Sequence, residues 1–408
     1  MTRYLYQGTH DHTITTVLQR LFTNLSKICV INSPTAGGIM SLVSQADRNI
    51  FENLFVLEAA NNHWGDVERG KEIIQQFATV VRYNNIKAAI KFQFRDVDNF
   101  IHEEYKGNQD IRYIKKTEAT KMSREQYGTL ANAVRQAGCI PMATPFDEKS
   151  VELCDYLDFP IIKVASSDIN DWALLEAVAH TKRPVIASSG GASEKSLDDL
   201  VTFFENRNIP LALNHCVSLY PSEDHELELS QIDYLKARYP NHVIGLSSHE
   251  YHDWHSSMLI SYAKGARTWE RHVDIDFNSV PVSNYCSLPH QVDEWFKYFH
   301  KAQEMCGNSN ENRRIVTSKE IQYLDALVRG IYAKRDLPKG YVVDNRTFAQ
   351  DFQLAVPLRK GQLSTREVLN GLSLQSELKA GSPVTIDDVN GPYSEHNEIS
   401  LLIKNRGI

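Results

Sequence analysis

From residue 53 onward the chain repeats one pattern: a short apolar run, then an amphipathic stretch with helical spacing, then another apolar run. The apolar runs are LFVLEA (54–59), AAIKFQF (88–94), IPMATPF (140–146), IIKVASS (161–167), PVIASSG (184–190), LALNHCV (211–217), VIGLSSH (243–249) and TWERHVD (268–274). Helical spacing lies between them in ERGKEIIQQFATVVRY (68–83), SVELCDYL (150–157), WALLEAVAH (172–180) and SLDDLVTFFENR (196–207), and PHQVDEWFKYFHKAQEMCG (289–307) closes the series. Asp147 and Ser193 stand where helix N-caps are needed. Eight near-continuous apolar strands, each followed by a helix, predict an α/β protein with a (β/α)8 TIM barrel over residues 53–306. An open doubly wound sheet is the alternative architecture.

The pattern changes at both ends. Residues 1–52 read as an irregular N-terminal extension with one short helix near 15–27, and Met40 is an alternative start. GNSNENRR (307–314) opens a polar linker, 307–319. Short β-like pieces (RGIYAKR, GYVVD, LQSELKAG, PVTID) then alternate with Gly and Pro, which predicts a small β-rich domain over 320–394. Residues 395–408 read as a loose tail.

Composition narrows the classes. The chain has 408 residues, 42% of them hydrophobic, and a formal net charge of −7. No basic face is implied, so nucleic acid is not an expected partner. No apolar run reaches the roughly 18 residues of a membrane span. Six scattered cysteines without a C-x-x-C fit a reduced, cytoplasmic protein.

Chemistry collects at the strand ends, which a barrel gathers on one face. Lys91 and Lys163 interrupt apolar strands, and a buried ammonium needs an anionic partner. With the hydroxyls of Ser166, Ser188 and Ser247 they suit a small anion such as phosphate or carboxylate; pairing with a carboxylate is the structural alternative. His249 and His272 end adjacent strands and could share a divalent cation, or be ordinary core histidines. Glu58, at the end of the first strand, is either a general acid–base or the partner of Lys91. In TWERHVD, alternation turns Glu270 inward with His272 and Arg271 toward the helices.

EAANNHWGD (58–66), KFQ (91–93), ATPFD (143–147), KVASSD (163–168), ASSGG (187–191), NHCVSLYP (214–221), GLSSH (245–249) and ERHVD (270–274) resemble, in order and spacing, the motifs of the sialic acid synthases. The small domain resembles the antifreeze-like (SAF) domain of that family, so the likeness spans about 340 of the 408 residues. The resemblance implies metal-dependent condensation of phosphoenolpyruvate with an open-chain sugar aldehyde. It implies Glu58 as the catalytic glutamate, His249 and His272 as ligands of Mn²⁺ or Mg²⁺, and Lys91, Lys163, Ser166, Ser188 and Ser247 as the phosphoenolpyruvate cradle. Gln93 and Tyr220 fall on positions facing the sugar or the reaction centre. A domain-swapped homodimer is implied as well. Another phosphoenolpyruvate- or pyruvate-dependent aldolase or keto-deoxy-acid synthase, or a non-catalytic sugar-binding barrel, are the alternatives.

Three positions depart from the family pattern, all on the sugar side. Ser283 falls where the family carries an Asp that contacts the sugar. Ser218 replaces a frequent Asn. Pro357 aligns with the SAF-domain arginine, with Arg359 two residues on as its substitute. The acceptor is therefore expected to differ from the usual N-acetylmannosamine.

Overall fold

The structure, a computed structural model, describes residues 50–307, 313–369, 371–391 and 397–408. The short helix expected near 15–27 lies outside them. The described residues form two compact units, one within residues 37–308 and one within 309–408.

The first unit is a closed barrel of eight parallel strands. They are β1 (Leu54–Ala60), β2 (Ala88–Phe94), β3 (Ile140–Pro145), β4 (Ile161–Val164), β5 (Val185–Ser188), β6 (Leu211–Cys216), β7 (Val243–Ser248) and β8 (Thr268–His272). Strand order follows sequence order, and β8 pairs with β1 to close the ring. The covering helices are α1 (Val67–Tyr83), α2 (Arg124–Gln136), α3 (Glu148–Tyr156), α4 (Trp172–His180), α5 (Glu194–Glu205), α6 (Gln231–Arg238), α7 (Trp254–Lys264) and α8 (Pro289–Cys306). The expected caps form: Asp147 accepts from the Ser150 amide and Ser193 from the Ser196 amide. A polar excursion between β2 and α2 carries an extra helix, Arg112–Ala119.

The twofold alternation of each strand builds the interior in layers. Phe51, Leu54, Val56, Ala89, Met142, Ile161, Ile186, Ala212 and Val243 form an apolar cluster of their own. One or two inward steps further along the same strands stand Glu58, Lys91, Thr144, Lys163, Ser188, Asn214 and Ser247, with Glu270 inward on β8. The outward residues, such as Phe55, Ile90, Val164 and Trp269, pack against the helices in a second, larger cluster. An apolar floor thus excludes water beneath, and polar groups open toward the C-terminal ends.

Arg271 points into the helix layer, as alternation requires: its Nε donates to Ser287 Oγ at 2.6 Å and its Nη1 lies 3.0 Å from Glu250 Oε1.

The second unit holds two small antiparallel sheets, Gly330–Ala333 with Phe352–Ala355 and Ser373–Leu374 with Val389–Asn390. Its end is not loose. Asn397–Asn405 is helical, Ile403 is buried in the unit's core, and Arg406 pairs with Glu367. The apolar residues of ISLLI supply the buried face that a loose tail would lack. Among the described residues no helix is long and apolar enough to cross a membrane.

Candidate active site

The C-terminal ends of the strands surround one cavity of about 1300 Å³. Twelve of the expected site residues line it: Glu58, Lys91, Gln93, Lys163, Ser166, Ser188, Ser218, Tyr220, Ser247, His249, His272 and Ser283. Arg359 does not line it; it is exposed in the second unit, where its amide donates to Gln362 Oε1.

At the floor four charges interlock. Lys91 Nζ lies 2.5 Å from Glu58 Oε2 and 3.4 Å from Glu270 Oε1, and Lys163 Nζ lies 3.4 Å from Glu270 Oε2. Register explains this: Glu58 stands opposite Lys91 across β1–β2 and opposite His272 across β1–β8. Lys91 also donates to Thr144 Oγ1 at 2.9 Å and Lys163 to Ser188 Oγ at 2.6 Å. Gln93 Nε2 donates to Glu58 Oε1 at 2.8 Å and fixes the carboxylate plane. Two acids and two bases leave this floor formally neutral.

Glu270, Lys91 and Glu58 are shifted in different ways. Burial works against the charge on Glu270, but the Lys163 and Lys91 ammonium groups outweigh it and hold the carboxyl below its usual range. Burial also opposes the charge on Lys91, yet Glu270 and Glu58 keep its pKa raised. Glu58 goes the other way: burial, reinforced by the Glu270 charge, lifts it above the usual carboxylate value despite Lys91. Of the two carboxyls, Glu58 therefore takes up a proton more readily than Glu270. Glu58 thus pairs with Lys91 while burial keeps its pKa raised.

His249 and His272 lie with ring centroids 5.4 Å apart, and Tyr220 sits over His249 at 4.0 Å. Burial pushes the His249 imidazole down to about 4 and holds His272 well below its ordinary value. Both are thus neutral near pH 7. His249 Nδ1 is 3.0 Å from the Val217 carbonyl, so that nitrogen carries the proton and Nε2 is left with a lone pair. Among the described residues no group of three or more His, Cys, Asp or Glu could hold a metal. Two neutral imidazoles fit a divalent cation that takes its remaining ligands from water and substrate oxygens.

Hydroxyls complete the floor. The Gly190 amide donates to Ser166 Oγ at 3.1 Å, and a Cβ on Gly190 would stand 2.2 Å from Ser218 Oγ, so only glycine permits this approach. Ser247 Oγ reaches Glu270 Oε1 at 3.5 Å. Asp274, just beyond β8, is buried 2.7 Å from Arg69. Arg69 also donates to the Asn62 and Phe277 carbonyls and so ties the loop after β8 to α1.

Sequence reasoning left several lining residues unassigned. Alternation places Glu270 inward with His272, and the same register, two positions after Met142, marks Thr144. Trp64, Arg95, Arg112, Lys115, Lys116 and Tyr285 also line the cavity, from loops and the added helix where no periodicity marks an inward face.

Comparison with known proteins gives a consistent picture. Residues 84–311 match the NeuB family. The chain is 33% identical to a spore coat polysaccharide biosynthesis protein E from Chromobacterium violaceum of known structure, with a TM-score of 0.79 over 83% of this chain and 100% of that one. An N-acetylneuraminic acid synthetase from Leptospira borgpetersenii, solved with citrate, is 26% identical with a TM-score of 0.59, covering 67% of this chain and 91% of that one. The N-acetylneuraminate-9-phosphate synthase of Drosophila melanogaster is 30% identical over 245 residues, 58% of this chain and 64% of that protein.

Proposed function

The chain belongs to the NeuB family, and from that premise we propose that it condenses phosphoenolpyruvate with an open-chain sugar aldehyde to give a sialic-acid-like nonulosonic acid and phosphate. The observation that carries this reading is the convergence on one cavity of two buried lysines, a ring of hydroxyls, a proton-accepting Glu58 and two neutral imidazoles.

Lys91 and Lys163, with Thr144, Ser166, Ser188 and Ser247, hold the phosphate and carboxylate of phosphoenolpyruvate. Gln93, Tyr220, Ser218 and Ser283 face the sugar. Mn²⁺ or Mg²⁺ held by His249 and His272 would supply Lewis acidity at the sugar carbonyl. A carbon–carbon bond forms between C3 of phosphoenolpyruvate and C1 of the aldehyde, whose oxygen takes a proton and becomes a hydroxyl. Positive character then develops at C2 and a water oxygen adds there, its proton passing to a base. Glu58 serves as that base, oriented by the Gln93 Nε2 that donates to its Oε1. The C2–O bond to phosphate breaks and the C2 hydroxyl loses its proton, leaving the keto acid. Holding both substrates in fixed geometry supplies much of the rate, and lysines already in place stabilise the departing phosphate.

In the same reading the second unit is a SAF domain that reaches the partner's barrel in a cytoplasmic homodimer, with Arg359 facing the partner's sugar. The function is tested by mixing the protein with Mn²⁺, phosphoenolpyruvate and a panel of aldoses, then following phosphate release and product mass. Release with at least one aldose, and a product heavier than that sugar by a pyruvate unit, is expected; none with any aldose overturns the reading.

A further inference from the structure

The backbone pairing of β7 with β8 ends just short of the two histidines. The last paired residues are Ser248 and Arg271, one position before His249 and His272. Past that rung the Arg271 side chain bridges the two strand ends. Its Nη2 donates to the Glu250 carbonyl, and its Nη1 lies 3.0 Å from Glu250 Oε1. Its Nε donates to Ser287 Oγ at 2.6 Å, and the Ser287 amide donates to the His272 carbonyl at 2.8 Å. One buried guanidinium thus grips the residue after His249 and the residue that binds the backbone of His272.

Glu250 is anchored in its turn. Its Oε1 accepts from Ser257 Oγ at 2.5 Å, which ties the end of β7 to α7. The Arg271 guanidinium lies 5.3 Å from the ring of Trp254, the first residue of that helix. His249 is held on its other side by the Val217 carbonyl, 3.0 Å from Nδ1, and by the Ser222 amide, which donates to the His249 carbonyl at 3.2 Å. The two imidazoles come to rest with centroids 5.4 Å apart.

Stability alone does not account for the Glu250–Arg271 pair. Desolvation of two buried charges offsets most of their attraction, and packed apolar side chains in their place are often as stable or more so. The offset is larger here, since among the described residues Glu250 Oε2 is buried without a hydrogen-bond partner. What apolar side chains lack is direction. A planar guanidinium presents its donors along fixed lines, and a metal-bound nitrogen tolerates only about 0.2 Å of error in its distance.

Resting on the reading of His249 and His272 as ligands of a divalent cation, we propose that Arg271 and Glu250 are positioning residues for that site. Their pairing fixes the separation of the two imidazoles and so sets the affinity of the protein for the cation.

The test titrates metal-free protein with Mn²⁺, without sugar or phosphoenolpyruvate, and counts the free ion by electron paramagnetic resonance. Arg271→Lys keeps the charge and loses the fork. Glu250→Gln keeps an acceptor oxygen facing Arg271. Ser287→Ala removes one contact of the guanidinium and leaves the ion pair whole. Arg271→Lys is expected to weaken Mn²⁺ binding roughly 10–100-fold, the usual effect of changing the partners of a metal ligand. Glu250→Gln and Ser287→Ala lose less, in the same direction. Phosphoenolpyruvate, titrated by calorimetry without metal, is expected to bind every variant as it binds the wild type, because Lys91 and Lys163 stand on β2 and β4. Circular dichroism checks folding, and Ser287→Ala, the mildest change, decides the matter should the charge variants not fold. The proposal is overturned if the folded variants bind Mn²⁺ as tightly as the wild type. It is overturned too if phosphoenolpyruvate weakens in step with Mn²⁺, which marks a general loosening of the barrel. A wild type that takes up no Mn²⁺ overturns the metal reading of the histidines together with the proposal, whereas equal uptake by wild type and variants overturns the proposal alone.

Discussion

Glu270→Gln keeps the side-chain shape and removes one negative charge from between Lys91 and Lys163. Each Glu270 oxygen lies 3.4 Å from a lysine Nζ. At that distance and an effective dielectric of about 20, each contact amounts to roughly 5 kcal/mol of Coulomb attraction. Desolvation offsets much of this, so the cost of breaking a buried pair, about 3–5 kcal/mol, is the better guide. The two lysines are not hurt equally. Lys91 keeps Glu58 at 2.5 Å and Thr144 at 2.9 Å, whereas among the described residues Lys163 keeps only the Ser188 hydroxyl at 2.6 Å. For a domain of this size, about 2–4 °C per kcal/mol converts that loss to a fall in Tm of roughly 6–20 °C. An anion seated between the lysines restores what the mutation removes. Phosphoenolpyruvate should therefore raise the Tm of Glu270→Gln more than that of the wild type. Thermal unfolding followed by circular dichroism, with and without the ligand, measures both quantities. A variant Tm within about 2 °C of wild type, or a ligand-induced rise no larger than in the wild type, refutes the idea that Glu270 holds the two lysines at the anion site.

Ser188→Ala removes the acceptor 2.6 Å from Lys163; hydrogen bonds to charged groups are worth about 1.5–3 kcal/mol, so steady-state kinetics should show a roughly ten- to hundred-fold higher KM for phosphoenolpyruvate. The histidine pair makes stability depend on pH. His249 has a folded pKa of about 4 against an unfolded value of about 6.5, so between those limits the unfolded state binds the extra proton. Stability then rises with pH through that window and is lost as pH falls from about 6.5 toward 4, by about 3 kcal/mol for His249 alone. Urea unfolding at pH 5 and 7 checks the sign; equal midpoints would contradict it. Arg69→Met leaves Asp274 buried without its partner and frees the loop after β8, so a stability loss of about 3–5 kcal/mol should come with a higher KM for the sugar, both measurable on the purified variant. A sugar KM unchanged at full folding would separate that loop from acceptor binding.

The barrel was legible because its signal is redundant. A short apolar run followed by helical spacing recurs eight times, and a single sequence shows all eight. The floor was legible for the same reason: Lys91 and Lys163 stand out only because their neighbours are apolar, and Glu58 and His272 occupy strand ends. What alternation cannot supply is who pairs with whom. Glu58 and Glu270 compete for Lys91, and only barrel closure, which puts β8 beside β1, decides that Glu270 also bridges to Lys163. Asp274 shows the same gap. It stands two residues past His272, yet its partner Arg69 lies 205 residues away on α1.

Cavity residues from outside the strands mark the other limit. Arg112, Lys115 and Lys116 lie on a helix that is mostly exposed, and in sequence RYIKKTEA is indistinguishable from any solvated helix face. Only tertiary placement on the rim of the cavity turns those charges from ordinary surface into part of its lining.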